Sequence, residues 1–129
     1  MRVVLANGCF DVIHYGHLAH LKAARNLGDR LVVALTADEF VNKGPGRPVF
    51  REEQRAEMLR ALRCVDQVII SREDGPPWKI IRELRPNVYA KGKEYEGRLQ
   101  EQKLIEELGG KVIFTDTVVY SSTALLGWL

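Results

Sequence analysis

The sequence predicts an α/β fold, a doubly wound five-stranded parallel sheet with helices on both faces. Three observations lead there. Short, continuous apolar runs occur at residues 2–7, 30–36, 65–70, 87–90 and 111–115. Runs of that length without polar alternation are those of strands buried on both faces. Segments of helical character separate them, and a strand–helix alternation of this kind points to parallel pairing with helices covering both faces. Finally, the chain has no internal repeat, low-complexity tract or obvious linker, so its 129 residues read as one domain, 1–129.

Taken in order, residues 2–7 form the first strand and 16–27 an amphipathic helix that Gly28-Asp29 closes. Residues 30–36 are the second strand. The stretch 38–49 contains Lys43-Gly44-Pro45-Gly46-Arg47-Pro48 and is a loop by every breaker rule. Residues 52–64 follow as a helix, with Ala56, Leu59, Leu62 and Arg63 spaced near 3.6 and Arg55 on another face. A third strand at 65–70, a loop at 71–77 and a helix at 78–84, stopped by Pro86, come next. The fourth strand, 87–90, runs directly into the 91–97 loop. A polar helix at 99–108 ends at Gly109-Gly110, a C-terminal glycine signal. The fifth strand is 111–115, and Ser121-Ser122-Thr123 offers N-cap hydroxyls to a last apolar segment, 124–129.

Open parallel sheets bind ligands beyond the carboxyl ends of their strands, at the switch point. The loops that gather there are 8–17, 38–49, 71–77, 91–97 and 116–123, and four of these five are the segments richest in His, Lys, Arg, Ser and Gly. The first stands out: Gly8-Cys9-Phe10-Asp11-Val12-Ile13-His14-Tyr15-Gly16-His17 is a strand, a glycine turn and a helix start carrying two histidines. Free N–H groups and the positive end of a helix dipole make such a corner a phosphate site, and two imidazoles add donors.

On spacing alone the two histidines could equally be a helix-surface pair. A metal pair with His20 is disfavoured, because His20 sits roughly 240° round from His14 on an ideal helix. Read alone, Lys43 is a solvated charge, Lys91 the end of a strand, Arg55 and Arg63 helix-surface residues, and Tyr95 and Trp78 packing residues. Cys9 and Cys64 are too few and too far apart for a zinc site or disulfide framework, and Cys9 reads as a small apolar filler. A net charge of +2, with basic residues spread along the chain, calls for neither nucleic acid nor an anionic membrane. No apolar run is long enough to span a bilayer and no leader pattern precedes the first strand, so the expectation is a cytoplasmic protein.

Gly8-Cys9-Phe10-Asp11 followed by His14-Tyr15-Gly16-His17 resembles the signature of the cytidylyltransferase-like nucleotidyltransferases, with their H-x-G-H motif and Rossmann-like sheet. The resemblance continues through Gly28-Asp29, the Lys43 loop, Glu53-Gln54-Arg55, Arg63-Cys64-Val65-Asp66 and Ser121-Ser122-Thr123. Two branches look similar: the adenylyltransferase domain of ADP-heptose synthesis, through the Lys-Gly-x-x-Tyr stretch ending at Tyr95, and glycerol-3-phosphate cytidylyltransferase, a similarly short chain.

The resemblance implies transfer of a nucleoside monophosphate from ATP or CTP to a sugar phosphate or polyol phosphate, with pyrophosphate released after in-line attack at the α-phosphorus. The nucleophile is already an anion, so no general base is required; positioning and electrostatic stabilisation carry the reaction. His14, His17 and Lys43 then match the catalytic positions. Gly8, Cys9, Phe10, Asp11, Gly16, Arg55, Arg63, Lys91, Gly92, Glu94, Ser121, Ser122 and Thr123 match nucleotide-binding positions, with Asp11 fixing the loop. Mg²⁺ is implied as a companion of the triphosphate, with no protein ligand, and a homodimer through 63–66 is expected. The chain stops soon after its last helix starts, short for the family, so a longer parent protein is expected to be possible.

Two departures from the pattern stand out. The arginine that often precedes the Ser/Thr motif is missing from 116–120, so either Arg47 or Lys91 substitutes or the nucleotide contacts are weaker than in relatives. Lys93-Glu94 also replaces the Gly-Asp of the heptose branch, which leaves base and acceptor open. Rival readings are a nucleotide-binding module without turnover and an FAD synthetase-like enzyme.

Overall fold

The computed structural model describes residues 1–116; the expected helix at 124–129 and Ser121-Ser122-Thr123 lie outside the described residues. Five strands, β1 (Val3–Gly8), β2 (Arg30–Thr36), β3 (Gln67–Ser71), β4 (Val88–Gly92) and β5 (Lys111–Thr115), form one parallel sheet in the order β3-β2-β1-β4-β5. Between them run α1 (Tyr15–Arg25), α2 (Glu52–Arg60), α3 (Trp78–Leu84) and α4 (Gln102–Glu107). The strand order reverses between β1 and β4, so the crevice expected of a doubly wound sheet opens at their carboxyl ends.

The continuous apolar runs have a direct cause. Val4 and Ala6 of β1, with Leu31, Val33 and Leu35 of β2, face Leu21 and Ala24 of α1 and Ala56 and Leu59 of α2. The alternate residues Leu5, Val32 and Ala34, with Tyr89 of β4, face Ile80 and Ile81 of α3 and Ile105 of α4. Each side of the sheet has its own core, so neither set of alternate positions can be polar. Burying a leucine such as Leu21 or Leu59 contributes roughly 2–3 kcal/mol.

Several boundaries move. The helix expected over 52–64 stops at Arg60, and tight turns (Leu62 N–H to Leu59 O, Val65 N–H to Leu62 O) carry the chain on. Leu62 and Cys64 still pack against the core, so the apolar spacing outlasts the helix. The third strand starts two residues late because the Asp66 carboxylate is used to accept from Leu31 N–H, 2.8 Å away. The fourth runs on through Gly92, which places Lys91 and Gly92 in the sheet rather than in a loop. The 99–108 helix is trimmed to Gln102–Glu107; past it Gly109 adopts φ +88° and Gly110 N–H bonds to Ile105 O. Among the described residues, no helix is long and apolar enough to cross a membrane.

Candidate active site

Helix α1 begins with an unusual cap. His14 is extended (φ −140°, ψ −179°), and its Nδ1 accepts the Gly16 N–H at 3.1 Å. His17 returns the favour, its Nδ1 accepting the His14 N–H at 3.2 Å. This is a capping box built from two imidazoles instead of a hydroxyl and a carboxylate. With Nδ1 of each neutral ring an acceptor, the ring proton sits on Nε2. The two rings stack, centroids 3.8 Å apart and 24° from parallel, and Phe10 meets His17 edge-on at 5.1 Å. Burial, then the charges of His14, Lys43 and His20, push the His17 imidazole down to about 4, so it is neutral at pH 7.

The turn before the cap is held by buried charges. Phe10 takes φ +50°, folding its ring over Gly8, where a Cβ would lie 3.1 Å from the ring edge. Asp11 is fully buried. Its carboxylate accepts from Val49 N–H (2.7 Å), Phe50 N–H (3.0 Å) and Arg47 Nε (2.9 Å), and Arg47 also reaches the Asp11 carbonyl. Burial alone would raise this carboxyl, but the two N–H groups and the guanidinium outweigh it and hold it below its usual range. Asp11 thus clasps the far end of the segment that carries Lys43. Lys43 itself is half-buried, close enough for its charge to act on His17.

Arg55 overturns the surface reading. It is 0% exposed, and its guanidinium donates to Phe50 O (2.9 Å), Cys9 O (2.8 Å), Thr36 O (2.8 Å) and Asp38 Oδ1 (2.7 Å). One side chain therefore joins the β1–α1 turn, the end of β2 and the loop before α2. A helix-face arginine is pulled inward because three chain segments present carbonyls with no ladder partner of their own. Beside it Glu52 takes the Asp38 N–H at 3.0 Å and Arg72 at 2.6 Å, which keep its carboxyl low.

Across the crevice lies a second polar cluster. Lys91 donates to Asn7 Oδ1 at 3.0 Å and sits 4.2 Å above the Tyr95 ring. Tyr89, buried in β4, places its hydroxyl 3.0 Å from the same Asn7 oxygen and 2.6 Å from Glu101 Oε2. Thr115 donates to Lys91 O at 3.4 Å, so His20 Nδ1, 2.7 Å from Thr115 Oγ1, is the donor of that contact. Burial and the Lys91 charge push His20 down to about 4. Glu94 folds its carboxylate over Gly92.

The structure thus brings Gly8, Cys9, Phe10, Asp11, His14, Gly16, His17 and Lys43 to one corner, with Lys91, Gly92 and Glu94 at the end of the neighbouring strand. Arg63 is a correction. It is exposed in the turn after α2, at the edge where strands begin, opposite the crevice. Ser121, Ser122 and Thr123 lie outside the described residues. Reading the sequence missed Asn7, Tyr89, Glu101 and Thr115. Of these, only Asn7, a polar residue closing an apolar strand just before Gly8, left a visible signal.

A model of the cytidylyltransferase-like family matches residues 5–124. The bifunctional protein HldE of Gluconobacter oxydans is 46% identical over 128 residues, 97% of this chain and 26% of that protein. HldE of Methylobacillus flagellatus is 47% identical over 126 residues, 95% of this chain and 26% of its own length. The chain therefore spans only that 26% of either relative. Among solved structures, the lipopolysaccharide core biosynthesis protein from Thermoplasma volcanium matches with a TM-score of 0.74 and 31% identity, over 94% of this chain and 99% of that one. Pantothenate synthetase from Thermus thermophilus shares the fold at a TM-score of 0.63 and 16% identity, over 98% of this chain and 61% of that one. With the H-x-G-H corner, the strand order and the extent of these matches together, the chain belongs to the cytidylyltransferase-like family of nucleotidyltransferases.

Proposed function

We propose that this chain moves a nucleoside monophosphate from a nucleoside triphosphate to a sugar phosphate, as a heptose-1-phosphate adenylyltransferase-like enzyme. The observation that carries the reading is the reciprocal His14–His17 cap: two stacked imidazoles with protons on Nε2, at the positive end of α1 and beside Lys43. An oxygen of the acceptor phosphate attacks the α-phosphorus, the bond to the β-phosphate oxygen breaks, and pyrophosphate leaves. The Nε2–H groups serve the oxygens on which charge gathers, and Lys43 serves the outer phosphates. No base is needed, and Asp11, the carboxylate in the corner, is spent on Arg47, Val49 and Phe50.

The ATP–heptose choice is supported by the HldE relatives and by the resemblance of the Lys91–Tyr95 stretch to that branch. For the missing arginine before Ser121, Lys91 is the better substitute, since Arg47 is committed to Asp11. Mg²⁺ would arrive with the triphosphate, as the resemblance implies. When bound, that ion offsets phosphate charge. Arg63 and Asp66, exposed at the opposite edge, suit a subunit contact in a homodimer better than a nucleotide contact.

The test is pyrophosphate release with Mg²⁺, pairing ATP or CTP with heptose 1-phosphate, glycerol 3-phosphate or FMN, for the parent and His17→Ala. ATP with heptose 1-phosphate should turn over, and the variant should lose on the order of 10²–10³ in rate. Turnover only with CTP and glycerol 3-phosphate, or only with FMN, would reject the heptose reading. Triphosphate binding without release from any pair would reject the transferase activity itself.

A further inference from the structure

Lys91 is a half-buried ammonium, and what holds it lies outside the histidine corner. Asn7 Oδ1 accepts from its Nζ at 3.0 Å while the Tyr95 ring lies beneath at 4.2 Å. The Asn7 oxygen is also 3.0 Å from the Tyr89 hydroxyl, whose other neighbour is Glu101 Oε2 at 2.6 Å. A phenol has one proton, and here it has two acceptors. The carboxylate is nearer and charged, so it takes that proton and leaves the Asn7 oxygen to the ammonium. Without Glu101 the hydroxyl would turn to Asn7 and compete with Lys91 for it. Tyr89 is 0% and Glu101 4% exposed, so this chain runs through the interior, where a lone carboxylate would be costly.

The geometry points to Glu101 as the positioning residue for Lys91: through Tyr89 and Asn7 its carboxylate fixes the ammonium at the end of β4 and keeps it charged toward an anionic substrate. The role toward substrate rests on the reading of Lys91 as a phosphate contact. Burial lowers the Lys91 ammonium, and Glu101 is the foremost group opposing that, ahead of Glu94 and Cys9. The remaining titratable neighbours are Tyr95, below the amine, and His20, from α1.

Two readouts on the full chain separate the inference from the reading it rests on. The first is acetylation of Lys91 by acetic anhydride, followed by mass spectrometry across pH. Glu101→Gln keeps the shape and an acceptor but removes the charge, so the amine should deprotonate more readily. Labelling at pH 8 should then be about 10-fold faster, the equivalent of one pKa unit. If Glu101→Gln does not fold, Glu101→Asp keeps the charge but shortens the arm, and labelling should rise about 2- to 3-fold, between parent and Gln. Unchanged labelling in the folded variant overturns the inference. The second readout is pyrophosphate-release kinetics: Glu101→Gln should raise the KM of one substrate by about 10-fold, and adding it to Lys91→Met should change nothing further. Faster labelling with parent-like kinetics in both single variants upholds the coupling to Lys91 and overturns the substrate contact instead.

Discussion

Lowering the pH should destabilise the fold before its carboxylates titrate, and the cause is His17 and His20. Both imidazoles are held at about 4, by burial first, then by His14, Lys43 and His20 around His17 and by Lys91 beside His20. In the unfolded chain they titrate near 6.5. Between these values the unfolded chain takes up protons that the folded one refuses. The stabilisation is therefore complete above pH 6.5 and is lost as the pH falls toward 4. Each ring would contribute roughly 3 kcal/mol over that window at about 1.4 kcal/mol per unit. Both keep contact with water, and part of the His17 depression is the charge of His20 itself, so the sum is halved to about 3 kcal/mol for the pair. About 2 kcal/mol of it should be gone by pH 5. Asp11 and Glu52 have lowered carboxyls, so their contributions are lost only further down, from about pH 4.5. Urea unfolding at pH 7.5, 6 and 5 should show the loss in the parent and a nearly flat profile in His17→Gln/His20→Gln. Equal parent stability at pH 7.5 and 5, or an undiminished slope in the double variant, would refute the argument.

Two further substitutions test how the corner is held. Arg55→Met should cost about 3 kcal/mol in urea unfolding, because it strips donors from the Cys9, Thr36 and Phe50 carbonyls and a counter-charge from Asp38. The loss is at the low end for a buried charge since Asp38 is partly exposed and can rehydrate; a loss below about 1 kcal/mol would show that the strut is dispensable. Asp11→Asn leaves Arg47 without its counter-charge and turns an acceptor of Val49 or Phe50 into a donor, at a cost of about 2–4 kcal/mol. The 43–50 segment should loosen, and tryptic cleavage after Lys43 should accelerate at least about 10-fold while the rest of the chain resists; parent-like cleavage would show that Asp11 does not hold the loop.

What the sequence made legible follows from range. The strands were visible because burial on both faces demands unbroken apolar runs, and β2 and β5 matched their expected limits. The histidine corner was visible because its parts lie within ten residues and its cap is a contact between positions three apart. Arg55 was misread since nothing local tells an arginine on a helix face that the carbonyls of Cys9 and Thr36, 46 and 19 residues away, will meet it. The Asp11–Arg47 clasp joins residues 36 apart, and Glu101 meets Tyr89 from 12 away inside a stretch whose polarity suggests only a solvated helix. Tyr89 reads as core, and it is core; only its hydroxyl belongs to the polar chain.

This division of range carries a consequence for how the site fails. His14 and His17 are ordered by each other and by the first turn of α1, so removing the Nε2–H of one should affect the reacting phosphate far more than the fold. Arg55, Asp11 and Glu101 touch the reaction through other residues, and each is a buried charge whose loss leaves partners without compensation. Variants at these three should lose stability and turnover together. A variant at the cap that unfolds the protein, or one at the buried charges that spares stability while abolishing turnover, would show that the local and long-range parts of the corner have been assigned the wrong way round.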